Sequence, residues 1–205
     1  MLIHPFDATS GPDEWLPFLR TQGFGQLIAA GRGREVPVVV PTQYVVGSEK
    51  PLEILLHLAR PNPIWAALSE NPVVLLSVAG DWAYIPVAWK AIGSEDPTLG
   101  VPTTYYAAVQ VVASAIVVDD EDGKLEILRR QLATLEPSSG HADPSAHVRR
   151  LPGIRGLRLT AREVVGKFKY GGNVDEPHRL AVAERLAARR GPGDAAAREH
   201  LLRRN

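Results

Sequence analysis

The segment His57-Leu58-Ala59-Arg60-Pro61-Asn62-Pro63-Ile64-Trp65 joins a strand end, a cation and a helix start in one short stretch. Residues 52–58 are apolar enough to form a buried strand. Asn62 has N-cap chemistry, because its side-chain carbonyl can accept from an unpaired N–H of the first helical turn. Pro63 suits the first helical position, where its missing N–H would have had no partner. A helix through Ile64, Trp65, Leu68 and Ser69 follows, and it ends before Asn71-Pro72. Arg60 then stands at a helix N-terminus, where free N–H groups and the helix dipole favour an anion. It is a candidate phosphate ligand. A capped strand-to-helix joint with a surface arginine accounts for the same residues without any ligand.

Outward from this joint the chain is rich in strands. Residues 24–30 and 36–46 are apolar and β-branched, and Gly31-Arg32-Gly33-Arg34 between them has hairpin-turn chemistry. Residues 73–78 form a strand that Gly80-Asp81 turns into a second one over 82–85, and residues 93–100 form a loop. Residues 105–118 form the longest β-rich run. Asp119-Asp120-Glu121-Asp122-Gly123 opens a helix over 124–135, with Leu125, Leu128, Leu132 and Leu135 at helical spacing. After a Pro/Ser/Gly loop at 137–144, strand character returns over 154–165. Residues 13–20, 177–190 and 195–204 are helical, the last two separated by Gly191-Pro192-Gly193. About six strands as antiparallel neighbours, with helices inserted or appended, suit a mainly β (α+β) fold built on a small closed or split barrel. No Gly-x-Gly-x-x-Gly follows the first strand and no Walker-type loop is present, which argues against a dinucleotide-binding Rossmann fold.

Composition narrows the function classes. The 205 residues suffice for one full core, and 45% hydrophobic content is ordinary for a globular protein. No apolar run reaches membrane-span length, no signal-peptide pattern opens the chain, and cysteine is absent, so a cytoplasmic location is expected. With 23 basic and 23 acidic residues, the net charge of zero argues against a chain-wide nucleic-acid surface. The arginines at 179, 185, 189, 190, 198, 203 and 204 leave only the C-terminal helices basic. His141 and His147 around Asp143 give a faint zinc pattern, and no metal is expected.

Several segments share an order with one known family. The His57–Trp65 string resembles the His-Leu-Ala-Arg-x-Asn-Pro-x-Trp signature of the FMN-binding negative transcriptional regulators, the PaiB-like proteins. Met1-Leu2-Ile3-His4-Pro5-Phe6 is similar to that family's opening. Tyr84-Ile85-Pro86-Val87-Ala88-Trp89 resembles its Tyr-Ile-Ser-Pro-Ser-Trp, Val101-Pro102-Thr103-Thr104-Tyr105-Tyr106 its Val-Pro-Thr-Trp-Asn-Tyr, and Gly166-Lys167-Phe168-Lys169 its Gly-Lys-Trp-Lys. The likeness spans about residues 1–190. It implies an antiparallel split β-barrel of the FMN-binding type, related to flavin reductases and pyridoxamine-phosphate oxidases. It also implies a bacterial protein forming a homodimer, with FMN bound at the subunit interface. The barrel with its inserted helices is expected over 1–170, and a helical extension packed on the barrel or on the partner subunit over 171–205.

The expected cofactor-binding residues follow. Arg60 is the first candidate for the FMN phosphate, since a guanidinium fork with helix N–H donors suits a dianion. Asn62 frames the same joint, and His57 is a hydrogen-bond donor to the cofactor or, in a haem-binding relative of the fold, an axial ligand. Thr103, Thr104, Tyr105 and Tyr106 offer hydroxyls to phosphate or ribityl oxygens. Tyr84 and Trp89 are aromatic wall candidates, and Lys167, Lys169 and Asn173 are positioned to close over an anionic cofactor. Each also has a structural reading as a core aromatic, a strand cap or a solvated strand end.

This chain departs from the family pattern at Glu35-Val36-Pro37, where members often have His-x-Pro. Further departures are Pro86 and Ala88 for serines, Thr104-Tyr105 for Trp-Asn, and Gly171-Gly172 for Ser-Gln. The functions open at this level are a flavin-dependent oxidoreductase acting on an unidentified small molecule and a flavin-linked regulator touching DNA through its C-terminal arginines. A haem-binding split barrel and a biosynthetic enzyme without FMN are also open. No catalytic residue is assigned.

Overall fold

Seven strands, β1 (Phe24–Ala29), β2 (Val38–Gln43), β3 (Val45–Glu49), β4 (Leu52–Ala59), β5 (Val73–Ile85), β6 (Thr103–Val118) and β7 (Ile154–Lys169), form one sheet in the order β2-β1-β5-β6-β7-β4-β3. The computed structural model describes residues 1–91, 96–137 and 143–203. The register pairs Gln26 with Ser77 (β1 and β5) and Leu56 with Leu157 (β4 and β7), both antiparallel. Six α-helices accompany the sheet: α1 (Pro12–Gln22), α2 (Ile64–Glu70), α3 (Val87–Lys90), α4 (Glu121–Leu135), α5 (Glu176–Arg189) and α6 (Asp194–Arg203). The chain divides into two compact units, one of residues 16–78 and 110–165, the other of residues 1–15, 79–109 and 166 to the end.

Three expectations about the strands are corrected. The apolar run over 36–46 is two strands, because β2 pairs with β1 and β3 pairs with β4, at opposite ends of the sheet order. Tyr44 makes the break: its N–H donates to the Gly23 carbonyl (2.9 Å), and its buried hydroxyl donates to the Leu19 carbonyl (2.8 Å). Gly80-Asp81 does not turn the chain. Asp81 takes a left-handed φ of 53°, yet β5 continues through it to Ile85. The last strand runs on to Lys169, so Lys167 and Lys169 lie within β7 and not after it. The expected loop at 93–100 and the loop at 137–144, with His141, lie partly or wholly outside the described residues.

In the unit of residues 16–78 and 110–165, Gly31 and Gly33 supply the positive φ that the tip between β1 and β2 needs. Helix α4 is capped as its acidic opening predicts, with the Asp120 carboxylate accepting from the Gly123 N–H (2.8 Å). Its buried face is rotated from the leucine spacing. Lys124, Leu125, Ile127 and Gln131 are buried while Leu135 is 45% exposed. Ile127 packs with Val45, Leu55 and Val118. β7 makes room for it at Gly156, where a Cβ would come within 2.6 Å of Ile127.

In the other unit, Tyr105, Tyr170 and Phe168 form an edge-on aromatic cluster, and His200 of α6 stacks on Tyr170 with centroids 4.5 Å apart. His200 reaches the Asp81 carboxylate (2.8 Å), and the Tyr170 hydroxyl donates to the Asp81 carbonyl (2.8 Å). Arg185 and Arg189 of α5 donate to the carbonyls of Ala88 (3.2 Å) and Tyr84 (2.8 Å). These bonds fasten the C-terminal helices onto α3 and the end of β5.

Candidate functional site

His57, Arg60 and Asn62 belong to the unit of residues 16–78 and 110–165. Asn62 caps as expected, its Oδ1 accepting from the Ile64 N–H (3.0 Å). Arg60 is already occupied. Its Nε donates to the Pro152 carbonyl (2.5 Å), and its two terminal nitrogens grip Asp119 at 2.5 and 3.1 Å. Arg155 (3.1 Å) and Lys124 (3.3 Å) converge on the same carboxylate. Hydrogen bonding from Arg60, with Lys124 adding to it, holds the Asp119 carboxyl down at about 2. Arg60 thus belongs to a group of three cations that share the one Asp119 carboxylate, and its reading as a phosphate ligand stays an expectation. His57 is half-buried and donates from Nδ1 to the Gln131 side-chain carbonyl (2.6 Å), an arrangement that turns Nε2 into the free ring position.

Tyr84, Trp89, Thr103, Thr104, Tyr106, Lys167, Lys169 and Asn173 belong to the other unit. Two of these pairs meet. Lys169 Nζ donates to Thr103 Oγ1 (2.5 Å), and Lys167 Nζ lies 5.6 Å from the centre of the Tyr106 ring. Lys167 is buried, donates to the Leu2 carbonyl (3.0 Å) and stands 3.8 Å from Asp7. It pins the N-terminal segment. Trp89 lies under the Arg189 guanidinium (4.8 Å), while Tyr84 is half-exposed and Thr104 and Asn173 are exposed.

The structure adds Lys90 and His178, which the sequence reading left out, and singles out Tyr105. Tyr105, whose hydroxyl the sequence reading offers to the cofactor with packing on the sheet as its alternative, is 2% exposed, and that hydroxyl is buried without a hydrogen-bond partner among the described residues. Burial pushes that phenol up to about 12. Lys90 places its ammonium 5.9 Å from the Tyr105 ring centre. Burial, with the charge of Lys169 adding to it, lowers its pKa. His178 of α5 has a buried Nε2 that is likewise unpartnered, and its pKa is lowered by burial and then by Lys90. No motif flags Lys90 or His178, because they meet only when α5 packs beside α3. The one signal for Tyr105 is its place beside Thr103 and Tyr106 at the start of a long strand.

Chemically this is a cation- and hydroxyl-rich surface suited to holding an anion. Several C-terminal arginines are consumed internally: Arg179 on the Val174 carbonyl, Arg185 and Arg189 as above, and Arg203 on Glu199. Among the described residues there is no cluster of three potential metal ligands and no helix long and apolar enough to cross a membrane.

A family model described as "Putative FMN-binding domain" matches residues 1–163. No curated protein matches the chain. Among solved structures, the conserved protein Rv2991 from Mycobacterium tuberculosis is similar with a TM-score of 0.60 and 14% identity, over 85% of this chain and 94% of that one. The FAD and haem binding protein from Mycobacterium smegmatis gives 0.60 and 16%, over 85% and 80%. The flavocytochrome Anf3 from Azotobacter vinelandii gives 0.59 and 19%, over 84% and 74%. At these identities the likeness is one of fold, and the fold is the expected split-barrel class.

Proposed function

This chain belongs to the family described as "Putative FMN-binding domain", and we propose that it binds FMN through the unit containing residues 79–109 and β7's end. The family match carries the cofactor. The residues present fit it: the Lys169 ammonium against the Thr103 hydroxyl offers a phosphate a cation and a hydrogen-bond donor. Half-exposed Tyr84 and half-buried Trp89 offer aromatic surface to a planar ring. When bound, FMN supplies hydride or electron transfer, and the protein's part is to hold and orient it. Arg60 is not assigned to the phosphate in this reading, because its Nε and both terminal nitrogens already donate to Pro152 and Asp119.

Within this reading a flavin-dependent oxidoreductase is favoured over a DNA-bound regulator. The chain carries no net charge, and its C-terminal arginines are largely committed to internal carbonyls and carboxylates. Purified protein titrated with FMN, FAD and riboflavin, followed by flavin fluorescence, tests the proposal. Saturable FMN binding in the micromolar range, weakened about tenfold by Lys169→Met, is the expected result. Absence of binding by any of the three flavins would overturn it. A second reading, haem bound by His57, is favoured by the Nδ1–Gln131 bond that presents Nε2. It predicts a Soret band on haem addition that His57→Ala abolishes.

A further inference from the structure

The unit of residues 1–15, 79–109 and 166 onward gathers cations around two unpartnered buried polar atoms. Tyr105 Oη and His178 Nε2 are both buried and both lack a hydrogen-bond partner among the described residues. An orphaned buried hydroxyl or imidazole nitrogen is destabilising when nothing satisfies it, so two in one unit call for an explanation. Lys90 stands beside the first, its ammonium 5.9 Å from the Tyr105 ring centre, and burial followed by the Lys90 charge lowers the His178 pKa.

Burial, with the Lys169 charge adding to it, lowers the Lys90 pKa, and Arg179 and Arg185 add positive charge on Tyr105 and His178 respectively. Among the described residues neither Lys90 nor Lys169 is paired with a carboxylate. The acids that face the group are committed elsewhere: Asp7 stands 3.8 Å from Lys167, and Asp175 caps α5 by accepting from the His178 N–H (2.9 Å). Gly171 packs closely against the tyrosine hydroxyl. Its φ is 71°, and a Cβ there would come within 2.9 Å of Tyr105 Oη.

We propose that Lys90, Tyr105, Lys169 and His178 form an oxyanion-binding site that takes a phosphate group. Lysine ammonium groups supply the charge, and the tyrosine O–H and the imidazole Nε2–H supply directed donors that are unsatisfied until the anion arrives. Lys169 is shared with the proposed flavin site, and the inference rests on that reading to that extent. The phosphate belongs either to the cofactor or to a separate phosphorylated ligand, and the test separates the two.

Inorganic phosphate is titrated into the full-length protein by calorimetry, with the His178 ring proton followed by NMR. The expected result is saturable binding, weakened about tenfold or more in Tyr105→Phe and in Lys90→Gln. The His178 pKa should rise on saturation, because a bound anion favours imidazolium. Tyr105→Phe removes only a hydroxyl without a partner, so its melting temperature without phosphate should not fall, whereas a purely structural tyrosine would lose stability. No saturation, equal binding in both variants, or an unmoved His178 titration would each overturn the site. If FMN competes with phosphate and riboflavin does not, the occupant is the cofactor's phosphate. If FMN-saturated protein still binds phosphate, it is a separate ligand. Flavin binding without any phosphate effect would refute this site and leave the flavin reading intact.

Discussion

A guanidinium that holds a carboxylate through both terminal nitrogens has little left to offer a ligand, and Arg60 does this to Asp119 while its Nε is spent on Pro152. Among the described residues, by contrast, Lys169 contacts a neutral hydroxyl and Lys90 an aromatic ring, neither a carboxylate. Tyr44 shows the structural use of a buried hydroxyl. It donates to the Leu19 carbonyl, and burial raises its pKa well above the usual phenol range. Tyr44→Phe should destabilise the protein by about 1 kcal/mol, because the buried Leu19 carbonyl loses one of its two donors and keeps only the Gly23 N–H (3.2 Å). A urea midpoint equal to that of the parent would contradict this. Tyr105→Phe should behave oppositely, since that hydroxyl has no partner to lose.

Among the elements, the joint between α5 and α6 depends on one acid. Asp194, 1% exposed, accepts from Arg189 at 2.8 and 2.5 Å and from the Gly191 N–H at 2.7 Å. The Arg189 hydrogen bonds lower its pKa against the opposing effect of burial. A depressed folded-state pKa means the contribution is fully present above the ordinary aspartate range and is lost as pH falls through the folded value. Asp194→Asn should therefore cost about 2 kcal/mol near neutrality, discounted for the partly exposed arginine, and less near pH 3. Thermal melts of both proteins at the two pH values check this, and an equal difference at both would refute it. The break at Gly191-Pro192-Gly193 is legible in sequence, because glycine and proline punctuate helices. The division of residues 36–46 into β2 and β3 is not. Periodicity reports burial, and both strands are apolar, so nothing local marks Tyr44 as the point where the chain changes partners.

For the whole molecule, we propose a homodimer, supported by an apolar strip that one chain leaves uncovered. Trp82 (58%) and Tyr84 (50%) are exposed at alternate positions of β5, with Val101 (75%) also exposed. Light scattering should give twice the chain mass at micromolar concentration, and Trp82→Glu should shift it toward the monomer. A monomeric parent would refute the proposal.

The sequence by itself determined the strand-rich class, the capped joint at Asn62 and the family. Caps, turns and apolar runs act over a few residues, and a motif order survives as a linear pattern. What waited on the folded chain was the commitment of each charge. Arg60 is paired with Asp119. The pairing is set by strand order and helix packing and not by spacing along the chain. Lys90, Tyr105 and His178 converge for the same reason. Electrostatic energy depends on distance in space, and only the packed fold sets those distances.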